Sequence, residues 1–194
     1  KESETRDGLH ILGQVPEGKR FSNCLRLLTR VRNGEIPSLR EALCALKGWN
    51  ADALMDHPER MLPDGRTQSM VLNEIDELGQ QMFEVLRESD YSSDAVKRWI
   101  RQTPGENAED KLLNRYLEYV CGPLRAALEQ TSDELVYFMR GVRGEFQSPG
   151  PSGNPSRGNA HILPTGKNFY AVDPGAIPSR TAWRVGQSLA EQLL

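Results

Sequence analysis

The sequence predicts a mainly α protein: a helical domain, then an ordered but irregular Gly/Pro-rich segment, then a C-terminal helix, with few or no strands. Three observations carry this reading. Between residues 20 and 145, apolar residues recur at three- and four-residue spacing, the period of a helix packed on one face. No run of four or more residues shows convincing apolar/polar alternation, so a half-buried strand has no signature here. From Gly141 to Pro178, seven glycines and six prolines fall within 38 residues, which no regular element tolerates.

Each element has its own warrant. Phe21, Cys24, Leu25, Leu28 and Val31 form a first helical stripe that Gly34 ends. Pro37 stands where a first-turn proline belongs, Leu39, Leu43 and Leu46 follow, and Gly48 closes the second helix. Asn50 to Asp56 adds a short turn before Pro58, and Met61 to Arg66 (MLPDGR) is a turn signal. The strongest helix runs from Thr67 to Glu88, with Val71, Ile75, Leu78, Met82 and Val85 on one face. Asp94 to Gln102 is a short helix cut off by Pro104-Gly105. Ala108, Leu112, Tyr116, Val120, Leu124 and Leu128 make another long stripe, kinked at Gly122-Pro123. Thr131-Ser132-Asp133-Glu134 reads as a capping box for a helix through Val142. Ser179 or Thr181 caps a last helix that carries Trp183, Ala190 and Leu193. The organisation is therefore a helical domain over 1–145, an ordered loop segment over 146–178, and a helix over 179–194.

Composition alone would make 146–178 a flexible linker. The segment also carries Ile162, Leu163, Phe169, Tyr170, Val172 and Ile177, for which a solvated linker has no use. Prolines of fixed φ and permissive glycines let such a chain hold an irregular path, with polar side chains around a ligand. An ordered functional loop is the expectation, and a purely structural crossover the alternative.

The net charge of −3 comes from interleaved acidic and basic residues, and no basic stripe with stacking aromatics argues for nucleic acid as a partner. Apolar runs are too short for a membrane span. The three cysteines, Cys24, Cys44 and Cys121, sit at apolar helix positions, as reduced core thiols of a cytoplasmic protein would. Gly166-Lys167 superficially resembles a phosphate loop. It fails on spacing, because the nearest upstream glycine is Gly158 and Asn168 replaces the magnesium-binding hydroxyl residue. Histidines at i, i+4 and Cys-x-x-Cys pairs are both missing, which argues against a structural zinc site. His57, before Pro58, reads as a surface residue, and His161 lies inside the irregular segment. Two roles are open to His10 in DGLHILG: a buried ring satisfied by one backbone partner, or a base or metal relay that the flanking glycines let approach a ligand.

The order GPSGNPSRG, ILPTGKNFYAVDP and AIPSRTAW closely resembles a stretch of the large subunit of the ATP-dependent cobaltochelatases, relatives of the porphyrin-binding H subunit of magnesium chelatase. The opening ESETRDGLHILGQVPEG resembles an earlier block of the same subunit. The resemblance is strong at both ends and weak through the middle helices, and NFYAVDP looks like the cobalt branch. It implies an internal piece of a longer subunit, inactive alone. In that subunit Co2+, the substrate metal, enters a corrin ring of the hydrogenobyrinic acid a,c-diamide type, in cobalamin biosynthesis. The activity implied is that of a ligase forming nitrogen–metal bonds. The resemblance places ATP and Mg2+ on partner AAA+ ATPase subunits, with a second small chelatase subunit as a further partner. It makes His10 a candidate catalytic residue and Arg157, Lys167, Asn168 and Tyr170 candidates for substrate binding, the two cations toward rim carboxylates. Phe169 is read rather as a plug onto the helical core, and no residue is assigned to hold the metal. Two alternatives stand: magnesium insertion into protoporphyrin IX, and a non-catalytic helical module that docks the ATPase subunits.

Overall fold

In a computed structural model, which describes residues 10–102, 110–151, 153–167 and 180–193, local side-chain caps set most helix starts. The helices are α1 (Gly18–Leu28), α2 (Leu39–Leu46), α3 (Ala51–Asp56), α4 (Gln68–Glu88), α5 (Ser93–Arg101), α6 (Lys111–Tyr119), α7 (Arg125–Glu129), α8 (Asp133–Val142) and α9 (Arg180–Leu193). Ser38, Asn50, Thr67, Ser92 and Asp110 each accept a backbone N–H from the first turn of the helix that follows. Each such cap is worth about 1 kcal/mol. Ser38, rather than Pro37, starts α2: the Ser38 N–H donates to the Glu41 carboxylate at 2.8 Å and completes a capping box. No strand occurs among the described residues; two isolated bridges, Asn33 with Ile36 and Met61 with Thr67, pin turns.

The mainly α class is as expected, and α4 is its centre. It packs against α1, α2, α3 and α5, while α2 also packs on α6. Val71, Ile75, Met82, Phe83 and Leu86 of α4 meet Leu25, Leu43, Leu54, Val96 and Ile100 in one continuous core. Of the long stripe expected here, Tyr116, Val120, Leu124 and Leu128 are buried, but at its start Leu113 is buried and Leu112 is exposed. Tyr116, wholly buried, shares a hydrogen bond of 2.8 Å with Thr29, whose hydroxyl also donates to the Leu25 carbonyl and closes α1 three residues before Val31. At Gly122-Pro123 the expected kink takes the form of a π turn over Val120–Leu124. The wider turn spares the backbone the donor that proline lacks. Between α4 and α5, Asp90 and Tyr91 hold positive φ, and Arg125 locks them with a bond to the Asp90 carbonyl and its guanidinium over the Tyr91 ring.

All three cysteines are free thiols. Burial pushes the thiols of Cys44 and Cys121 up to about 11. At pH 8, roughly one molecule in a thousand then carries the reactive thiolate at either site. Native protein exposed to iodoacetamide at pH 8 is expected to leave Cys44 and Cys121 largely unmodified over the time in which urea-unfolded protein reacts fully. Peptide mass spectrometry checks this, and rapid native labelling of Cys44 would contradict it.

Candidate functional site

The helix α8 inverts the usual pattern of a soluble helix. Its one buried residue is Glu134, at 1 % exposure, while Leu135, Val136, Phe138, Met139 and Val142 stand between 42 % and 65 % exposed. The sequence reads Thr131 to Glu134 as a capping box, and the fold uses neither end that way. Ser132 and Asp133 are already helical, so a 3-10 turn runs straight into α8. The Thr131 hydroxyl donates instead to the Leu128 carbonyl. Glu134, relieved of the cap, turns inward.

Two distant chain segments converge on its carboxylate. From the N-terminal block, Nε2 of His10 lies 2.8 Å from Oε2, and the Gly13 N–H donates to the same oxygen at 2.9 Å. From the Gly/Pro segment, the Thr165 hydroxyl donates to Oε1. The approach is close on both sides. A Cβ at Gly13 would fall 2.2 Å from Cγ of Leu135, and one at Gly166 would fall 3.1 Å from Cβ of Glu134. Three donors around one carboxylate satisfy both of its oxygens, the condition under which a carboxylate tolerates burial. The His10 ring is 55 % exposed, so an exposed imidazole is backed by a buried carboxylate. The sequence alternative of a buried His10 satisfied by backbone is therefore corrected: its partner is a side chain 124 residues away.

Lys167 follows directly on this cluster. Its ammonium lies 5.6 Å from the centre of the Tyr137 ring on α8, and its stem runs against Gly150. Arg157 has a different support. It ends a 3-10 turn, Pro155–Arg157, that packs against α1 and leaves its side chain exposed. That turn is followed by Gly158 against the Arg32 carbonyl, and by the Ala160 N–H donating to Asn33 at 2.8 Å. His161 and His57 are exposed. Asn168, Phe169 and Tyr170 lie outside the described residues, as does Ser179; Thr181 falls inside α9 rather than at its cap.

The outer face of α8 adjoins the cluster through the Gly13–Leu135 contact. Leu135, Val136, Met139, Arg140, Arg143 and Glu145 line a shallow concavity of about 310 Å3 there. Three apolar side chains and two guanidinium groups, one of them 3.9 Å from the Glu145 carboxylate, could meet an apolar ligand that carries peripheral carboxylates. A second concavity, about 260 Å3, lies along α4 between Trp49 and Gln81 and has no part in this arrangement. Among the described residues, no group of three or more His, Cys, Asp or Glu side chains is placed to hold a metal ion, and no helix is long and apolar enough to cross a membrane. Glu134, Thr165 and Gly13 were not singled out from sequence as site residues. The one signal for Glu134 was its place at the head of an apolar helix, which a cap explains equally well.

Comparisons with known proteins give the family. The family model for CobN/Magnesium Chelatase matches residues 1–194. The aerobic cobaltochelatase subunit CobN of Sinorhizobium sp is 30% identical over the whole chain, which spans 17% of that protein. The corresponding subunit of Pseudomonas aeruginosa is 31% identical, again over the whole chain and 16% of its own length. Among solved structures, the catalytic subunit of cobaltochelatase from Mycobacterium tuberculosis superimposes with a TM-score of 0.61 at 31% identity, covering 97% of this chain and 14% of that one. The chain thus spans about a sixth of the relatives it matches. With its whole length matched by the family model, the chain belongs to the CobN/magnesium chelatase family.

Proposed function

We propose that this chain is part of the tetrapyrrole-binding large subunit of a cobaltochelatase, which inserts Co2+ into a corrin ring while AAA+ partner subunits hydrolyse ATP in the cytoplasm. The observation that carries the reading is the inverted α8: a buried carboxylate engaging His10 on one side, exposed apolar residues together with Arg140 and Arg143 on the other. Metal insertion asks for such a combination. The macrocycle offers an apolar face and rim carboxylates, its inner nitrogens must lose two protons, and the metal must shed its hydration shell. An imidazole near the ring takes protons at neutral pH, and cations orient the rim. Domain motion driven by ATP in the assembled complex supplies work that static binding cannot.

In this reading His10 is the proton acceptor, and Arg157 and Lys167, with Asn168 and Tyr170, bind the macrocycle. A charge-assisted contact contributes roughly 1.5–3 kcal/mol, so Arg157→Ala is expected to weaken macrocycle binding by about ten- to a hundredfold. Absorbance titration of the full-length subunit with a cobalt-free corrin measures this. Unchanged affinity in both Arg157→Ala and Lys167→Ala would remove the two cations from the site. The same titration with protoporphyrin IX, and insertion assays with Mg2+ in place of Co2+, separate the cobalt reading from the magnesium one. The exposed apolar faces of α8 and α9 also favour a docking module for the ATPase subunits. That reading predicts binding to those subunits with no change in the macrocycle's absorption bands.

A further inference from the structure

We propose that Glu134 is the positioning residue of His10: it sets the tautomer of the ring and stabilises the imidazolium that forms when the ring takes a proton from the macrocycle. The inference rests on the proposed chelatase reading for its chemistry, but its geometry stands alone. Oε2 of Glu134 is 2.8 Å from Nε2 of His10 and 2.9 Å from the Gly13 N–H, and Oε1 is engaged by the Thr165 hydroxyl. A carboxylate can only accept, so Nε2 carries the hydrogen and Nδ1 is left with its lone pair. Gly13, next but two to His10 in the chain, is held by the same oxygen, so the backbone that carries the ring is fixed along with the ring itself.

A structural clamp alone does not call for a charge. An amide in the place of the carboxylate could present its oxygen to Gly13 and His10 and its NH2 to the Thr165 hydroxyl. It would hold the same three groups without the desolvation cost of a buried ion. A carboxylate at 1 % exposure, set against a ring at 55 %, serves where positive charge appears on the ring side during a reaction. The step balances simply. One pyrrole N–H bond breaks and its proton bonds to Nδ1 of His10, while the electron pair left on the pyrrole nitrogen forms the bond to the metal. The imidazolium gives that proton to bulk water through its exposed edge and is ready for the second.

Glu134→Gln in the full-length subunit, assembled with its ATPase partners, is the decisive variant, because it keeps the clamp and removes only the charge. The expected result is a kcat for metal insertion lower by about ten- to a hundredfold, with an unchanged KM for the macrocycle and an unchanged melting temperature. A folded Glu134→Gln subunit with wild-type kcat would overturn the proposal and leave Glu134 a clamp. A second measurement is independent of turnover. In the 15N-histidine-labelled subunit, with the His10 signals identified by their loss in His10→Ala, His10 is expected to show a pyrrole-type Nε2 and a pyridine-type Nδ1 at neutral pH. In Glu134→Ala the two tautomers are expected to mix. A His10 ring found as the Nδ1–H tautomer, or unchanged in Glu134→Ala, would also overturn the proposal. Should the wild-type subunit insert no metal into any tetrapyrrole, the chelatase reading fails instead, and the labelling result alone then decides for or against the dyad.

Discussion

His10→Ala in the full-length subunit is expected to lower the turnover of metal insertion by about 10²–10⁴-fold, the range that a positioned acid or base contributes. Macrocycle affinity is expected to stay nearly intact, because the cations and apolar surface that would bind the ring belong to other residues. The structure gives reason to expect that the variant folds. Glu134 keeps the Gly13 N–H and the Thr165 hydroxyl, and water can enter where the half-exposed ring stood. The loss of one hydrogen bond costs about 1 kcal/mol. Single-turnover chelation kinetics, read beside an absorbance titration, separate the two effects. A His10 that only tied the N-terminal block to α8 would behave otherwise: melting temperature would fall and turnover of the folded fraction would stay at the wild-type level. That outcome would end the assignment of His10 as the proton acceptor.

Gly158→Ala is expected to cost about 2–4 kcal/mol, the sum of a left-handed backbone forced on a residue with a side chain and of overpacking against an unyielding neighbour. Gly158 holds φ at +81°, and a Cβ there would lie 2.5 Å from the carbonyl oxygen of Arg32. Backbone, rather than the end of a flexible side chain, would have to move. Gly144→Ala is the matched control: φ is +70°, but the added methyl meets nothing within 4 Å, so only the backbone term of about 1 kcal/mol remains. For a chain of this size each kcal/mol shifts the melting temperature by roughly 2–4 °C. If the protein relieves the strain by releasing 153–162 alone, tryptic cleavage after Arg157 accelerates while the melting temperature holds. A Gly158→Ala protein unchanged in both measures would show that this segment does not depend on its seat at Arg32 and Asn33.

Helix content and most helix boundaries were legible in the sequence because their causes are local. Asn50 and Thr67 lie at the N-caps of α3 and α4, where the pattern places helix starts, and Gly122-Pro123 disturbs the helix where it must. A side-chain oxygen three residues from an orphan N–H, or a ring without a donor, acts within one turn whatever the rest of the chain does. Periodicity was less exact: on α6 it named Leu112 where Leu113 is buried, since one step of 100° separates them and only packing against neighbours such as α2 chooses the face.

The composition and the two motif-bearing blocks, with His10 in one and Arg157 to Lys167 in the other, were thus enough to determine a mainly helical fold and a family. They could not determine what the blocks do to each other. Glu134 belongs to neither block, and its local sequence describes a helix cap. Only the packing of α8 between residues 10–13 and 164–167, contacts that span up to 124 residues of chain, turned that carboxylate inward and its apolar neighbours outward. The physical reason is that a carboxylate's role is set by which donors desolvate and satisfy it. Those donors were assembled by the closure of long loops, for which a linear sequence carries no local sign.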